Sequence, residues 1–146
     1  KPYMHASYLK VKVLELLLYL GTEKIQNTQV KVPYFAHTQV KKVKEIQKYM
    51  VSNLRQHYTL EQLSEQFDIP LTSMKACFKG VFGCSIYAYI KSYRMQAATV
   101  LLQNSDCSIT EIAMKMGYDN PSKFSEVFKK EYEMTPSEFR KKYIKA

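Results

Sequence analysis

The sequence predicts an all-α protein, and three observations carry that prediction. Gly and Pro number only four and five among 146 residues, in a chain rich in Leu, Met, Lys, Glu and Gln, which is the usage of helices rather than of turn-dense sheets. Apolar residues recur at spacings of three and four wherever a long pattern can be followed. A stretch of sequence is also stated twice: "FKGVFGCSIYAYIK" at 78–91 runs in frame with "FKKEYEMTPSEFRK" at 128–141, an offset of 50.

A chain of this length makes one ordinary domain or two very small ones sharing a core, which excludes a large enzyme. Lys and Arg number 22 against 13 Asp and Glu, a formal charge of +9, so a polyanionic partner is favoured. Cys77, Cys84 and Cys107 are odd in number and lack the two-residue spacing of a zinc or redox site; they read as packing residues of a reduced, cytosolic chain. His5, His37 and His57 lie far apart with no partner at ligand spacing, so no metal site is expected. Neither a nucleophile with its base nor a Gly-rich phosphate loop is present, which sets the enzyme class aside. The longest apolar run, "LLLYL" at 16–20, is far short of the ~18 residues of a membrane span, so no membrane partner is expected.

The elements follow in order. "YLKVKVLELLLYL" at 8–20 is apolar almost all round, which predicts a helix buried on most sides with little sequence before it to bury it. Residues 1–37 are therefore expected to be the remnant of an upstream effector or dimerisation region and its linker, the latter carrying the helix-hostile Pro33. From Gln39 to Gln56, Val40, Val43, Ile46, Met50 and Leu54 mark one face of an amphipathic helix, with Lys41, Lys42, Lys44 and Lys48 elsewhere on the wheel.

The repeat then extends upstream. Thr59, Leu60, Gln62, Leu63, Ser64 and Phe67 match Ser108, Ile109, Glu111, Ile112, Ala113 and Met116 at an offset of 49, and one residue enters before Phe78 and Phe128. "TLEQ" and "SITE" are both capping boxes, in which the hydroxyl accepts from a backbone N–H three residues on and the Gln or Glu side chain reaches back. Each opens a short helix of about two turns, and a small residue, Ser64 or Ala113, follows the central apolar one where a second helix packs closely.

In the second copy Gly117 is suited to a positive-φ helix C-cap, Asn120 to an N-cap and Pro121 to the first helical position. In the first, Asp68 and Pro70 occupy the turn and Thr72 or Ser73 opens the next helix. Two short helices, a tight turn and a polar outer face on the second make a helix-turn-helix, and the chain has two. "SIYAYIKSYRMQAATVLLQNS" joins them, with Ser85 as cap and Ile86, Tyr89, Ile90, Tyr93, Ala97 and Leu101 on one face.

With these residues in place, "SITEIAMKMGYDNPSKFSEVFKKEYEMTPSEFR" resembles the signature of the AraC/XylS family of bacterial transcription regulators. The match rests on Ile112, Ala113, Gly117, Tyr118, Phe124, Ser125, Phe128, Lys129, Lys130, Thr135, Pro136, Phe139 and Arg140, and the resemblance runs from about Val40 to Lys142. It implies homeodomain-like three-helix units in a DNA-binding domain over 38–146: a first unit at 38–84, a linker helix at 85–103 and a second unit at 104–146. It also implies a transcription activator in the bacterial cytoplasm, at the nucleoid, with promoter DNA and RNA polymerase as partners. No cofactor belongs to this segment; a small-molecule effector would act only through an upstream domain, and the full-length protein would form a dimer. The segment at 8–20 is similar to the region ahead of the DNA-binding domain in regulators of siderophore uptake.

The outward side of each second helix supplies the contacts. Within that outward side the resemblance implies base reading by Thr72, Lys75 and Ala76, with Ser73 beside them, in the first unit and by Ser122, Ser125 and Glu126 in the second. Lys79, Arg94, Lys123, Lys129, Lys130 and Arg140 are the expected phosphate contacts. Free N–H groups at the helix starts near Thr72 and Asn120 would add to these. Three departures from the family pattern bear on the relative strength of the two units. Glu126 stands where a basic residue is common, Glu133 stands where Gly83 stands in the first copy, and Pro70 replaces a polar cap. The competing reading is a helical protein-binding module, which would show no salt-dependent DNA binding.

Overall fold

The computed structural model describes residues 13–15 and 35–143. The chain divides into two units, Lys1–Pro33 and Tyr34–Ala146. In the first, Val13, Leu14 and Glu15 are helical and exposed. The rest of the apolar segment at 8–20, His5 and the connector lie outside the described residues.

The described residues of the second unit form seven α-helices and no strand: α1 (His37–Ser52), α2 (Leu60–Gln66), α3 (Leu71–Phe82), α4 (Ile86–Asn104), α5 (Ile109–Lys115), α6 (Pro121–Tyr132) and α7 (Pro136–Tyr143). The helix starts follow the expected chemistry. Thr59 Oγ1 accepts from Gln62 N at 3.1 Å while Thr59 N donates to Gln62 Oε1 at 3.0 Å. Ser108 and Glu111 make the same reciprocal pair at 3.2 and 2.7 Å. A third pair, Thr135 with Glu138, opens α7. Its "TPSE" carries the same spacing. Because these carboxylates accept backbone N–H groups, Glu111 and Glu138 both titrate below the usual carboxylate range.

Two boundaries differ from the sequence reading. The first helix ends at Ser52, not Gln56; Asn53 leaves helical geometry, and Leu54 sits in the following turn. The first reading helix opens at Leu71 with Pro70 as its cap, ahead of Thr72 and Ser73. Pro is well suited to this place because the missing N–H has no helical partner there.

Two cores result. Val43, Ile46 and Met50 of α1 pack with Leu63, Met74, Phe78, Ile86 and Ile90; Met95, Ala98 and Leu102 pack with Ile112, Phe124, Phe128 and Phe139. The linker helix α4 therefore serves both: its first turns close the first core and its last turns open the second. Its buried stripe is Ile86, Ile90, Arg94, Met95, Ala98 and Leu102, whereas Tyr93, expected on the inner face, is 36% exposed.

This dual use extends the repeat. Val43, Ile46 and Met50 superimpose in sequence on Met95, Ala98 and Leu102 at a constant offset of 52, and all six are buried. Each unit is thus four helical segments, α1–α3 with the start of α4, and the end of α4 with α5–α7. The turns also repeat. Ile69 N donates to Ser64 O and Tyr118 N to Ala113 O, at 3.0 and 2.9 Å, with Asp68 and Gly117 between them at φ 46 and 77.

Candidate nucleic-acid interface

The second helix of each unit spends one side on its core. Met74, Cys77 and Phe78 of α3 and Phe124 and Phe128 of α6 are fully buried. What remains outward on α3 is Thr72, Lys75, Ala76 and Lys79, all exposed and spaced i, i+3, i+4, i+7. An offset of 50 carries this set onto Ser122, Ser125, Glu126 and Lys129 of α6. Ser122, Glu126 and Lys129 are exposed and Ser125 is half-buried. Ser73 lies at the edge of the α3 face, half-buried, and Lys130 is exposed on α6.

The two faces are not equivalent. On α6, Lys123 Nζ meets Glu126 Oε2 at 3.0 Å, so the acidic residue has a donor and one cation of the face is matched. Such an exposed pair contributes little to stability, but it lowers the positive charge offered to a polyanion. Ser125 Oγ donates to Pro121 O at 2.9 Å. Asn120 Oδ1 accepts from Ser122 N and Lys123 N at 2.9 and 3.3 Å, so the expected free N–H groups at this end are already bonded. At α3, by contrast, Pro70 has no side-chain cap to offer. The first N–H groups of α3 lack that competitor, and a phosphate is a suitable acceptor for them.

Two residues expected at phosphates stand elsewhere. Arg94 is only 8% exposed, and its Nη2 donates to Gln56 O at 2.9 Å. Burial lowers the tendency of its guanidinium to hold a proton, while Tyr118 and Tyr58 nearby oppose that shift. Arg140 is half-buried and donates from Nη2 to Cys107 O, tying α7 to the loop before α5. Each guanidinium thus ties a helix to a loop carbonyl.

The sequence reading also missed the loop at 53–58. His57 Nε2 donates to Gly117 O at 2.6 Å, and Leu54 packs against both cores. At the offset of 52 Arg94 aligns with Lys42, whose Nζ reaches Asp68 of the first turn at 3.2 Å. Among the described residues no group of His, Cys, Asp and Glu could hold a metal ion.

Comparison with known proteins agrees with this architecture. Residues 63–142 match the family model described as "Helix-turn-helix domain". The chain is 28% identical over 110 residues to the transcriptional activator RhaR of Mannheimia succiniciproducens, covering 75% of this chain and 40% of that protein. It is 35% identical over 98 residues to the transcriptional regulator ExsA of Pseudomonas aeruginosa, covering 67% of this chain and 35% of that protein. The chain thus spans well under half the length of these curated relatives. The C-terminal domain of AraT, a response regulator from Geobacillus stearothermophilus, superimposes with a TM-score of 0.65 at 26% identity, covering 76% of this chain and 89% of that one. On the paired helix-turn-helix units, the shared linker helix and these matches, the chain belongs to the AraC/XylS family of helix-turn-helix regulators.

Proposed function

We propose that this chain is the DNA-binding part of a bacterial transcription activator, reading two successive major grooves with α3 and α6. The observation that carries the reading is the repetition of one outward face, Thr72/Lys75/Ala76/Lys79 and Ser122/Ser125/Glu126/Lys129, on two helix-turn-helix units joined by one continuous helix. That helix has 19 residues, or about 28 Å at ~1.5 Å per residue, close to the ~34 Å repeat of the groove along one side of B-DNA. Relatives named as transcriptional activators support the regulatory role.

Thr72, Lys75 and Ala76, with Ser122, Ser125 and Glu126, are the proposed base readers, and Ser73 borders the first set. Lys79, Lys123, Lys129 and Lys130 are the proposed phosphate contacts, joined by the N-terminus of α3. The start of α3 is the freer of the two for a phosphate, since it lacks a competing cap, and its face lacks a carboxylate. RNA polymerase, an effector sensed outside this segment and a dimeric full-length protein complete the proposal, with the bacterial cytoplasm as its setting.

Selection of this chain against a random duplex library at near-physiological salt tests the reading. Two short enriched blocks about one helical turn apart are expected. A folded helical sample that enriches nothing would overturn it and favour the protein-binding module.

A further inference from the structure

The loop at 53–58 belongs to the first unit by sequence, yet it reaches the shared helix and a turn of the second unit. His57 Nε2 donates to Gly117 O at 2.6 Å, across the turn between α5 and α6. Arg94, midway along the shared helix, donates to Gln56 O at 2.9 Å. A Cβ built on Gly117 would lie 2.8 Å from Leu54 O, 2.9 Å from Arg55 O and 3.1 Å from Arg94 Nη2. Leu54 packs on both cores. Leu54, Arg55 and His57 therefore approach one turn of the other unit, and Gln56 between them accepts from a buried guanidinium.

The two copies differ at the positions that allow this. In the first copy Lys42 reaches a turn whose left-handed residue is Asp68, and the lysine is partly exposed. In the second copy the aligned positions are Arg94 and Gly117. Glycine removes the side chain that would hold the loop off, and arginine extends past the turn to a carbonyl of the other unit. Arg94 Nε has no hydrogen-bond partner among the described residues. Burial of a charge with an unspent donor is costly, so packing alone does not account for arginine here. A directed bond from the shared helix to the loop of the first unit does, because a planar guanidinium defines an orientation as well as a contact.

We propose that Arg94, His57 and Gly117 form a positioning junction that sets the distance and twist between α3 and α6, and so makes the protein selective for the spacing between its two DNA blocks. The junction touches no base and rests on the DNA reading above. Its effect is to make the two units bind as one rigid body, so that an operator with the wrong spacing cannot engage both.

The test uses the duplex obtained by selection and derivatives with one or two base pairs inserted between the blocks. Each insertion displaces the second block by ~3.4 Å and rotates it by ~35° about the axis, given a turn of ~34 Å in ~10 base pairs. The unmodified chain should lose about tenfold or more in affinity per inserted base pair, comparable to a poor base match. His57→Ala and Arg94→Met should lose less than about threefold, while their affinity for a duplex holding a single block stays unchanged. His57→Gln, which keeps a donor for Gly117 O, should restore the discrimination. A structural defect alone would weaken single-block binding and leave the spacing ratio intact. Identical spacing ratios in the unmodified chain and both variants would overturn the proposal.

A DNA-free measurement separates this outcome from failure of DNA binding itself. With Cys84 and Cys107 replaced by serine, spin labels at the exposed positions of Glu61 on α2 and Glu131 on α6 should report a narrow distance distribution that broadens in His57→Ala and Arg94→Met. An equally narrow distribution in the variants would refute the junction whatever the DNA result.

Discussion

Replacing Gly117 by alanine tests the packing of the two units more sharply than any core truncation, because the structure contains its own controls. Gly83 and Gly117 both have φ 77 and both end or follow a helix. Around Gly83 a Cβ would meet nothing within 4 Å; at Gly117 it would meet two backbone carbonyl oxygens at 2.8 and 2.9 Å. Gly83→Ala should therefore show only the left-handed backbone cost, ~1 kcal/mol once the lower entropy of the unfolded alanine chain is set against it. Gly117→Ala adds overpacking against groups that cannot rotate away, a further ~1–3 kcal/mol. Urea unfolding followed by the helical circular-dichroism signal gives both numbers, and the absence of Trp leaves tyrosine emission as a second probe.

Glu133 supplies the reverse experiment. It occupies the place of Gly83 in the second copy and does so at φ 60. Glu133→Gly should raise stability by up to about 1 kcal/mol, since the left-handed strain is removed and only unfolded-chain entropy opposes the gain. Equal losses at Gly83 and Gly117, within about 0.5 kcal/mol, would refute the claim that residues 54–57 bear on the second turn, because distant sites of one chemistry should then differ only by noise.

Four further outcomes follow from the same contacts. Lys75→Ala should lower affinity for the selected duplex more than Lys123→Ala, whose cation is already matched by Glu126, as measured by titration at fixed salt. Removing Lys79 or Lys129 should each reduce the log–log salt slope by about 0.9 if the lysine neutralises one phosphate, read from binding at several salt concentrations. Glu138 has a depressed folded-state pKa, so its capping contribution is present above its unfolded value and is lost as pH falls through the folded one. Glu138→Gln keeps the acceptor and should flatten that part of the acid melting curve. Phe128→Ala removes a fully buried ring packed in tilted and edge-on contact with Phe124, Tyr132 and Phe139 and should cost ~3–5 kcal/mol, with hydrogen exchange in α5–α7 accelerating ahead of α1–α3.

The legible part of this molecule is the part governed by local chemistry. "TLEQ" and "SITE" announced two helix starts because a capping box is a contract among four consecutive residues, and the structure closes both. The outward faces of α3 and α6 were legible for the same reason: helical period divides a short segment into a buried and an open side. Arg94 was not legible, because an arginine on an amphipathic helix ordinarily faces solvent or an anion. Its register with Lys42 points to a turn only after the structure has shown Lys42 reaching Asp68 in the first turn. Leu54 misled in a related way: its spacing from Met50 continues the helix, while its burial comes from two cores that meet outside the helix.

These failures share one cause and one place. Arg94, Leu54, Gln56 and His57 all act between the units, where no local period operates and where the second copy departs from the first. Each helix-turn-helix has its own core, one around Phe78 and one around Phe128, with Leu54 packed against both. What duplication does not supply is a fixed relation between the copies. A single shared helix fixes the distance along its axis but leaves bending, and the rotation of each unit about the axis, less constrained than a second contact would. The loop at 54–57 is that second contact, off the axis and on the far unit's turn. Of its polar side chains only that of His57 is spent on the far turn; the backbone carbonyls of Leu54, Arg55 and Gln56 make the remaining polar approaches to Gly117 and Arg94.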